Sequence, residues 1–192
     1  MCFDWKKFGI IPVLAKSMNT EEKSFGKTAL QKYVYILQNI YGLDIGYDFE
    51  MYTYGPYCSE LHNNLDLVEH WGSVSVESSS DHGYIIRPGN DNALIEKTTN
   101  YYQQAEAVRA IESLIKDFGS FSARDLELRA TIIYVDREYE YKKTELTNDL
   151  LCKTVSAIKP KFSLHYIQEV IDELKSKDFL KVCQREDGVG TH

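Results

Sequence analysis

The chain has 192 residues, 43% of them hydrophobic and 27% charged, with a formal net charge of −7 at pH 7. That length fills one well-buried domain or two small ones. The acidic balance, present in both halves, works against binding of nucleic acid or an acidic membrane through bulk charge.

No apolar run approaches the ~18 residues of a membrane span. The opening MCFDWKKFGIIPVLAKS is interrupted by Pro12 and lacks the small-residue site of a cleaved leader, so none is expected. Cys2, Cys58, Cys152 and Cys183 stand far apart, without a CxxC or a Cys/His ligand pair. That is the pattern of free thiols in a reducing compartment, and a cytoplasmic location follows as the expectation.

A first helix is expected over residues 5–18, with Phe8, Ile11, Leu14 and Ala15 inward and Pro12 shifting its start towards Ile11. The second, over 27–41, ends at Gly42 in a left-handed cap. Its buried arc holds Leu30, Tyr33, Val34, Ile36, Leu37, Ile40 and Tyr41. Gln31, Lys32, Tyr35, Gln38 and Asn39 fill the remaining arc, which is expected to face outward and contains no acid. YDFEMYTYG alternates as a strand, and Gly55-Pro56 then turns the chain. Cys58 or Ser59 caps a helix over 60–71, buried through Leu61, Leu65, Val68 and Trp71. SVSVES and GYIIRP read as a hairpin around SSDHG.

Past Pro88 the pattern is helical. One helix is expected over 92–118, and Ser122 with Asp125 resembles a capping box opening the next. Thr144 is placed to cap a further helix, Ser163 caps LHYIQEVIDELKSK, and FLKVCQ reads as a short strand. The expectation is an α+β, predominantly helical protein of two winged helix-turn-helix-like units, residues 1–90 with a β-hairpin wing and residues 91–192 without one.

TALQKYVYILQNIYGL followed by YDFEMYTYGPYCSELHNNLDLVEHWG resembles the bacterial YwgA-like proteins. These join an LQK…YLLQ helix to a YxYGPYS corner and an L…D…L…G helix. FGSFSARDLELRATIIYV and IKPKFSLHYIQEVIDEL look like that family's second half. More distantly, the chain is similar to the Panacea domain, typified by the SocA antitoxin-adaptor, with its LQKLLY helix and YGPV corner. This chain carries Pro56-Tyr57 where many Panacea members continue with a small apolar residue. The YwgA-like proteins have no established activity, whereas the Panacea likeness implies toxin neutralisation, with a toxin or defence protein as the partner.

The residues alone agree with a non-enzymatic reading. MYTYGPYCSEL, from Met51, lacks the GxSxG nucleophile elbow, and Cys58 has no base beside it. No P-loop or GxGxxG appears, so no cofactor is expected. His62, Asp66 and His70 share a helix face without HExxH, the pattern of a solvated face rather than a metal site. Gly55 and Pro56 are expected to form a structural corner that presents Tyr54 and Tyr57.

A DNA reader would place helix 60–71 in the major groove, but that helix offers Glu60, Asp66 and Glu69 and no Lys or Arg. Its counterpart carries Gln168, Glu169, Asp172 and Glu173, with Lys175 and Lys177 only at its end. The expected function is an antitoxin- or adaptor-like interaction module, with Gln31, Lys32, Tyr35, Gln38, Asn39, Tyr54 and Tyr57 touching the partner. The alternative is a winged-helix transcriptional regulator using the Lys27/Gln31/Lys32 face.

Overall fold

Pro12 sits inside the first helix, α1 (Trp5–Met18), which continues through it with Phe8 to Ile11 buried before it and Leu14, Ala15 and Met18 buried after it. Gly9 lies so close to the later helix α4 (Ala93–Tyr102) that an added Cβ would stand 2.4 Å from Thr98 Cγ2. The Phe8 ring meets Trp71 at 5.2 Å between centroids. These contacts offset the backbone hydrogen bond that a proline in mid-helix removes. The computed structural model describes residues 4–18, 25–79 and 83–183.

The structure is α+β and mostly helical, with two small antiparallel hairpins, and it divides into Met1–Ala123 and Arg124–His192. The first unit therefore runs past residue 90 and takes in α4 and α5 (Ala105–Phe118). The single helix expected over 92–118 is broken at Gln103-Gln104. Tyr102 donates its hydroxyl to Lys6 O at 2.5 Å and Tyr101 donates to Asp44 O, which fixes α4 across α1. Gln104 then adopts an extended conformation as the N-cap of α5.

At the centre of this unit, α2 (Lys27–Asn39) buries Leu30, Val34, Ile36 and Leu37. Gly42 follows at φ +67°. An extended stretch leads to the first hairpin, β1 (Glu50–Tyr52) and β2 (Gly55–Tyr57), in the register Glu50↔Tyr57, Met51↔Pro56, Tyr52↔Gly55. The chain thus turns at Thr53-Tyr54, and Gly55-Pro56 forms the returning strand rather than the turn. Gly55 at φ +86° takes the left-handed position that closes such a tight loop.

The next helix, α3 (Ser59–His70), is capped by the Cys58 sulfur, which accepts from Leu61 N at 3.5 Å. The second hairpin, β3 (Val74–Ser79) with β4 (Gly83–Pro88), is tied on two sides. Val76 N donates to Glu69 Oε1 at 3.0 Å, and Ile86 N donates to Phe25 O at 2.7 Å. The expected turn around His82 lies outside the described residues, as does Cys2.

The second unit contains α6 (Ala123–Lys142), α7 (Asn148–Ile158) and α8 (Leu164–Ser176). Burial runs round every face of α6 and includes Glu127, Arg129 and Asp136. Each of these has opposite charge at hand. Glu127 meets Lys159 and Lys161 at 2.9 and 2.7 Å, Arg129 meets Glu173, and Asp136 meets Arg137 at 2.5 Å.

Asp136 also accepts from the backbone N–H groups of Lys181, Val182 and Cys183, at 2.8, 3.1 and 3.3 Å. FLKVCQ was expected as a strand. Residues 179–183 instead bend around this carboxylate and have no strand partner among the described residues. Thr147, not Thr144, caps α7 by accepting from Leu150 N, while Ser163 caps α8 as expected.

Candidate partner-binding site at the tyrosine corner

The polar arc of α2 was expected to face outward, and it does not. Gln31, Lys32 and Tyr35 are 5%, 1% and 3% exposed, and Gln38 and Asn39 are half-buried. The reason is the extended chain laid along that arc. Gln31 accepts from Cys58 N at 2.8 Å through Oε1 and donates to Cys58 O at 3.0 Å through Nε2. Two turns along, Gln38 treats Tyr47 in the same way, accepting from its N–H at 3.0 Å and donating to its carbonyl at 2.8 Å.

Side-chain amides here replace the neighbouring strand that extended backbone otherwise requires. Lys32 Nζ donates to Pro56 O at 2.8 Å, and the Tyr35 ring meets Phe49 edge-on at 5.3 Å. Asn39 donates to Tyr35 O at 2.9 Å within α2 itself. The amide face is the bed on which the first hairpin rests.

What this bed supports is exposed. Tyr52 and Tyr54, at the tip of the hairpin, are 66% and 60% exposed. Beside them opens a cavity of about 230 Å³, lined by Lys27, Thr28, Leu30, Gln31 and Lys32 from α2, by Tyr52, Tyr54, Gly55 and Tyr57, and by His62 and Leu65 from α3. The Tyr57 ring lies 5.6 Å from that of Tyr52 and 6.2 Å from that of His62. Burial, followed by the charges of its neighbours, raises the pKa of the Tyr57 hydroxyl. Lys27 stands at the rim, 4.6 Å from the Tyr84 ring centroid and 4.0 Å from Asp66 Oδ1.

Of the residues expected to touch a partner, Gln31, Lys32, Tyr54 and Tyr57 line this cavity together with the corner residue Gly55. Tyr35, Gln38 and Asn39 do not. Tyr52, Leu65 and His62 were not expected there. The alternation of Tyr52, Tyr54 and the returning Tyr57 was the available sign for the first of these.

A larger hollow of about 540 Å³ lies between the end of α2 and α5, but Asp44, Glu106 and Arg109 mix both charge signs along its wall. The corner is smaller and chemically more uniform. Burial also raises the pKa of the Cys58 thiol, whose sulfur is already used as a helix cap, so the group is a poor nucleophile. Among the described residues, no group of three or more His, Cys, Asp or Glu is placed to hold a metal ion, and no helix is long and apolar enough to cross a membrane.

No protein-family model matches the chain, and no curated protein matches it. The likeness to YwgA-like and Panacea proteins therefore rests on the quoted motifs, and the geometry of the corner carries the functional argument.

Proposed function

We propose that this protein is a non-enzymatic, antitoxin- or adaptor-like interaction module whose partner, a toxin or defence protein, docks on the tyrosine corner. One observation carries the reading: two largely exposed tyrosines stand beside a cavity on a hairpin whose backbone is held by the buried Gln31 and Lys32. Rigid aromatic side chains on a fixed frame lose little entropy on binding, and tyrosine is enriched among the anchors of protein interfaces. The likeness of the YGPY segment to the Panacea corner supports a setting in bacterial toxin–antitoxin or phage defence.

The order α1, α2, α3 and then the β3–β4 hairpin, with the short β1–β2 hairpin between α2 and α3, supports a winged-helix-like arrangement. It also keeps the DNA-binding regulator as the second reading, with Lys27 and the hairpin's Arg87 as its cations. Charge disfavours it. Asp66 on α3 is exposed, Glu60 is exposed and paired with Lys7 at 2.7 Å, Arg87 is held by Glu77 at 3.2 Å, and α8 exposes Glu169 and Asp172.

The test is a photo-crosslinking residue placed at Tyr54 in cells of the source organism, with the same group at Tyr141, 86% exposed in the second unit, as control. A discrete protein adduct at Tyr54 and not at Tyr141 is the expected result. A DNA adduct promotes the second reading, and no adduct at Tyr54 removes the first.

A further inference from the structure

We infer that the corner cavity receives one aromatic side chain of the partner, presented next to an acidic residue. This rests on the interaction reading and adds the chemistry of the contact. Size is the first argument. At about 230 Å³ the cavity falls below the roughly 300–1,000 Å³ of sites for drug-sized ligands and suits a single large side chain. The wall is the second. Leu30 and Leu65 supply apolar surface, and the Tyr52 and Tyr57 rings are inclined at 34°, an arrangement that accepts a third ring by edge or face.

Charge is the third argument, and it selects among occupants. Tyrosine faces by themselves also suit a cation. Here Lys27 and Lys32 line the cavity with His62, and among the described residues no Asp or Glu lines it, in a chain of net charge −7. The lysines of the wall disfavour a cationic side chain, with Asp66 as the acid at the rim. Lys27, with a 29% exposed side chain, a 4.0 Å contact to the well-exposed Asp66 and its ammonium 4.6 Å from the Tyr84 ring centroid, stands at the rim where it can meet a carboxylate beside the incoming ring. A nucleotide would offer a ring and an anion too, but a strand of phosphates adds several further negative charges against a chain of net charge −7.

The experiment is amide-resolved NMR titration of the full chain with four probes: N-acetylated, C-amidated Glu-Trp-Glu, Lys-Trp-Lys and Glu-Ala-Glu, and oligothymidylate. Glu-Trp-Glu is expected to shift Thr28, Gly55 and His62, and to bind about tenfold or more tightly than either other peptide. Lys27→Glu should reverse the order of the two tryptophan peptides while leaving the melting temperature near that of the parent. Equal binding of both tryptophan peptides, shifts confined to other residues, tighter binding of oligothymidylate at the corner, or no shift at all overturns the inference. A protein adduct at Tyr54 without peptide binding sinks this inference alone. Absence of the adduct sinks the interaction reading, and the occupant with it.

Discussion

Gln31 grips the peptide of Cys58 from both sides, taking its N–H at 2.8 Å and giving to its carbonyl at 3.0 Å. Both ends of that contact are buried, so removal of the amide leaves two backbone groups without this partner. Gln31→Ala is expected to cost about 1–3 kcal/mol for each stranded group. Gln31→Glu should cost at least as much, because a carboxylate oxygen then faces the Cys58 carbonyl. Urea denaturation measures both, and wild-type stability in either variant contradicts the role given to this side chain.

Tyr35 and Tyr54 should respond in opposite ways. Tyr35→Ala empties a buried ring site against Phe49, with an expected loss of about 3–5 kcal/mol. Tyr54→Ala removes a 60% exposed ring and should leave stability within about 0.5 kcal/mol. Partner capture should fall in the Tyr54 variant while its circular dichroism remains that of the parent.

Gly55 occupies φ +86° in the hairpin. A β-branched residue there is strained, and Gly55→Val should cost about 1–3 kcal/mol. Thermal melts of Gly55→Val and Gly55→Asn provide the check, since asparagine tolerates the left-handed region better and should lose less.

The Tyr33 phenol, buried in α2, has its pKa pushed up to about 12 by burial, from an ordinary value near 10. The unfolded chain therefore gives up this proton more readily than the folded one. The stabilising contribution is intact below pH ~10 and is lost as pH rises from there through the folded value. Urea midpoints should fall across that window, and Tyr33→Phe should make the fall shallower. An equal slope in the variant would assign the alkaline loss to other groups.

Asp136 accepts three consecutive backbone N–H groups and also carries the Arg137 contact. Asp136→Ala should destabilise the second unit by about 3–5 kcal/mol, because Arg137 loses its buried counter-charge. Amide exchange at Lys181, Val182 and Cys183 should accelerate more than at the α8 core position Ile171.

The sequence was most readable where periodicity or a cap acts locally. The Leu61, Leu65 and Val68 stripe of α3, most of that of α2, the Ser163 cap and the β3–β4 hairpin declare themselves within a few residues, whereas Ile40, Tyr41 and Trp71, expected inward, are half-buried near helix ends. The first hairpin does not: YDFEMYTYG alternates, but only Glu50–Tyr52 of it pairs, and the returning Gly55–Tyr57 is three residues long and holds a proline. Nor did the polar arc of α2 reveal its burial. Glutamine next to water and glutamine paired to a distant peptide look identical in one dimension, and Cys58 lies 27 positions from Gln31. In α6, Glu127, Arg129 and Asp136 interrupt the hydrophobic pattern, yet each is buried against groups far along the chain: Lys159, Glu173 and the backbone N–H groups of Lys181, Val182 and Cys183. The tyrosines of the corner were visible as residues, but their shared cavity with His62 and Leu65 depends on how α3 is aimed.

Gln31 and Gln38 also act as a ruler. They lie about two helical turns apart on a rigid rod and fix the chain at Cys58 and Tyr47. Adding or deleting a residue between those two points would pull one grip out of register, so insertions and deletions should be rare there across evolution. The exposed side chains of the hairpin tip, Tyr52 and Tyr54, carry no such obligation. Descendants of this chain could therefore change what the hairpin tip recognises by point substitution alone, on a loop of constant length.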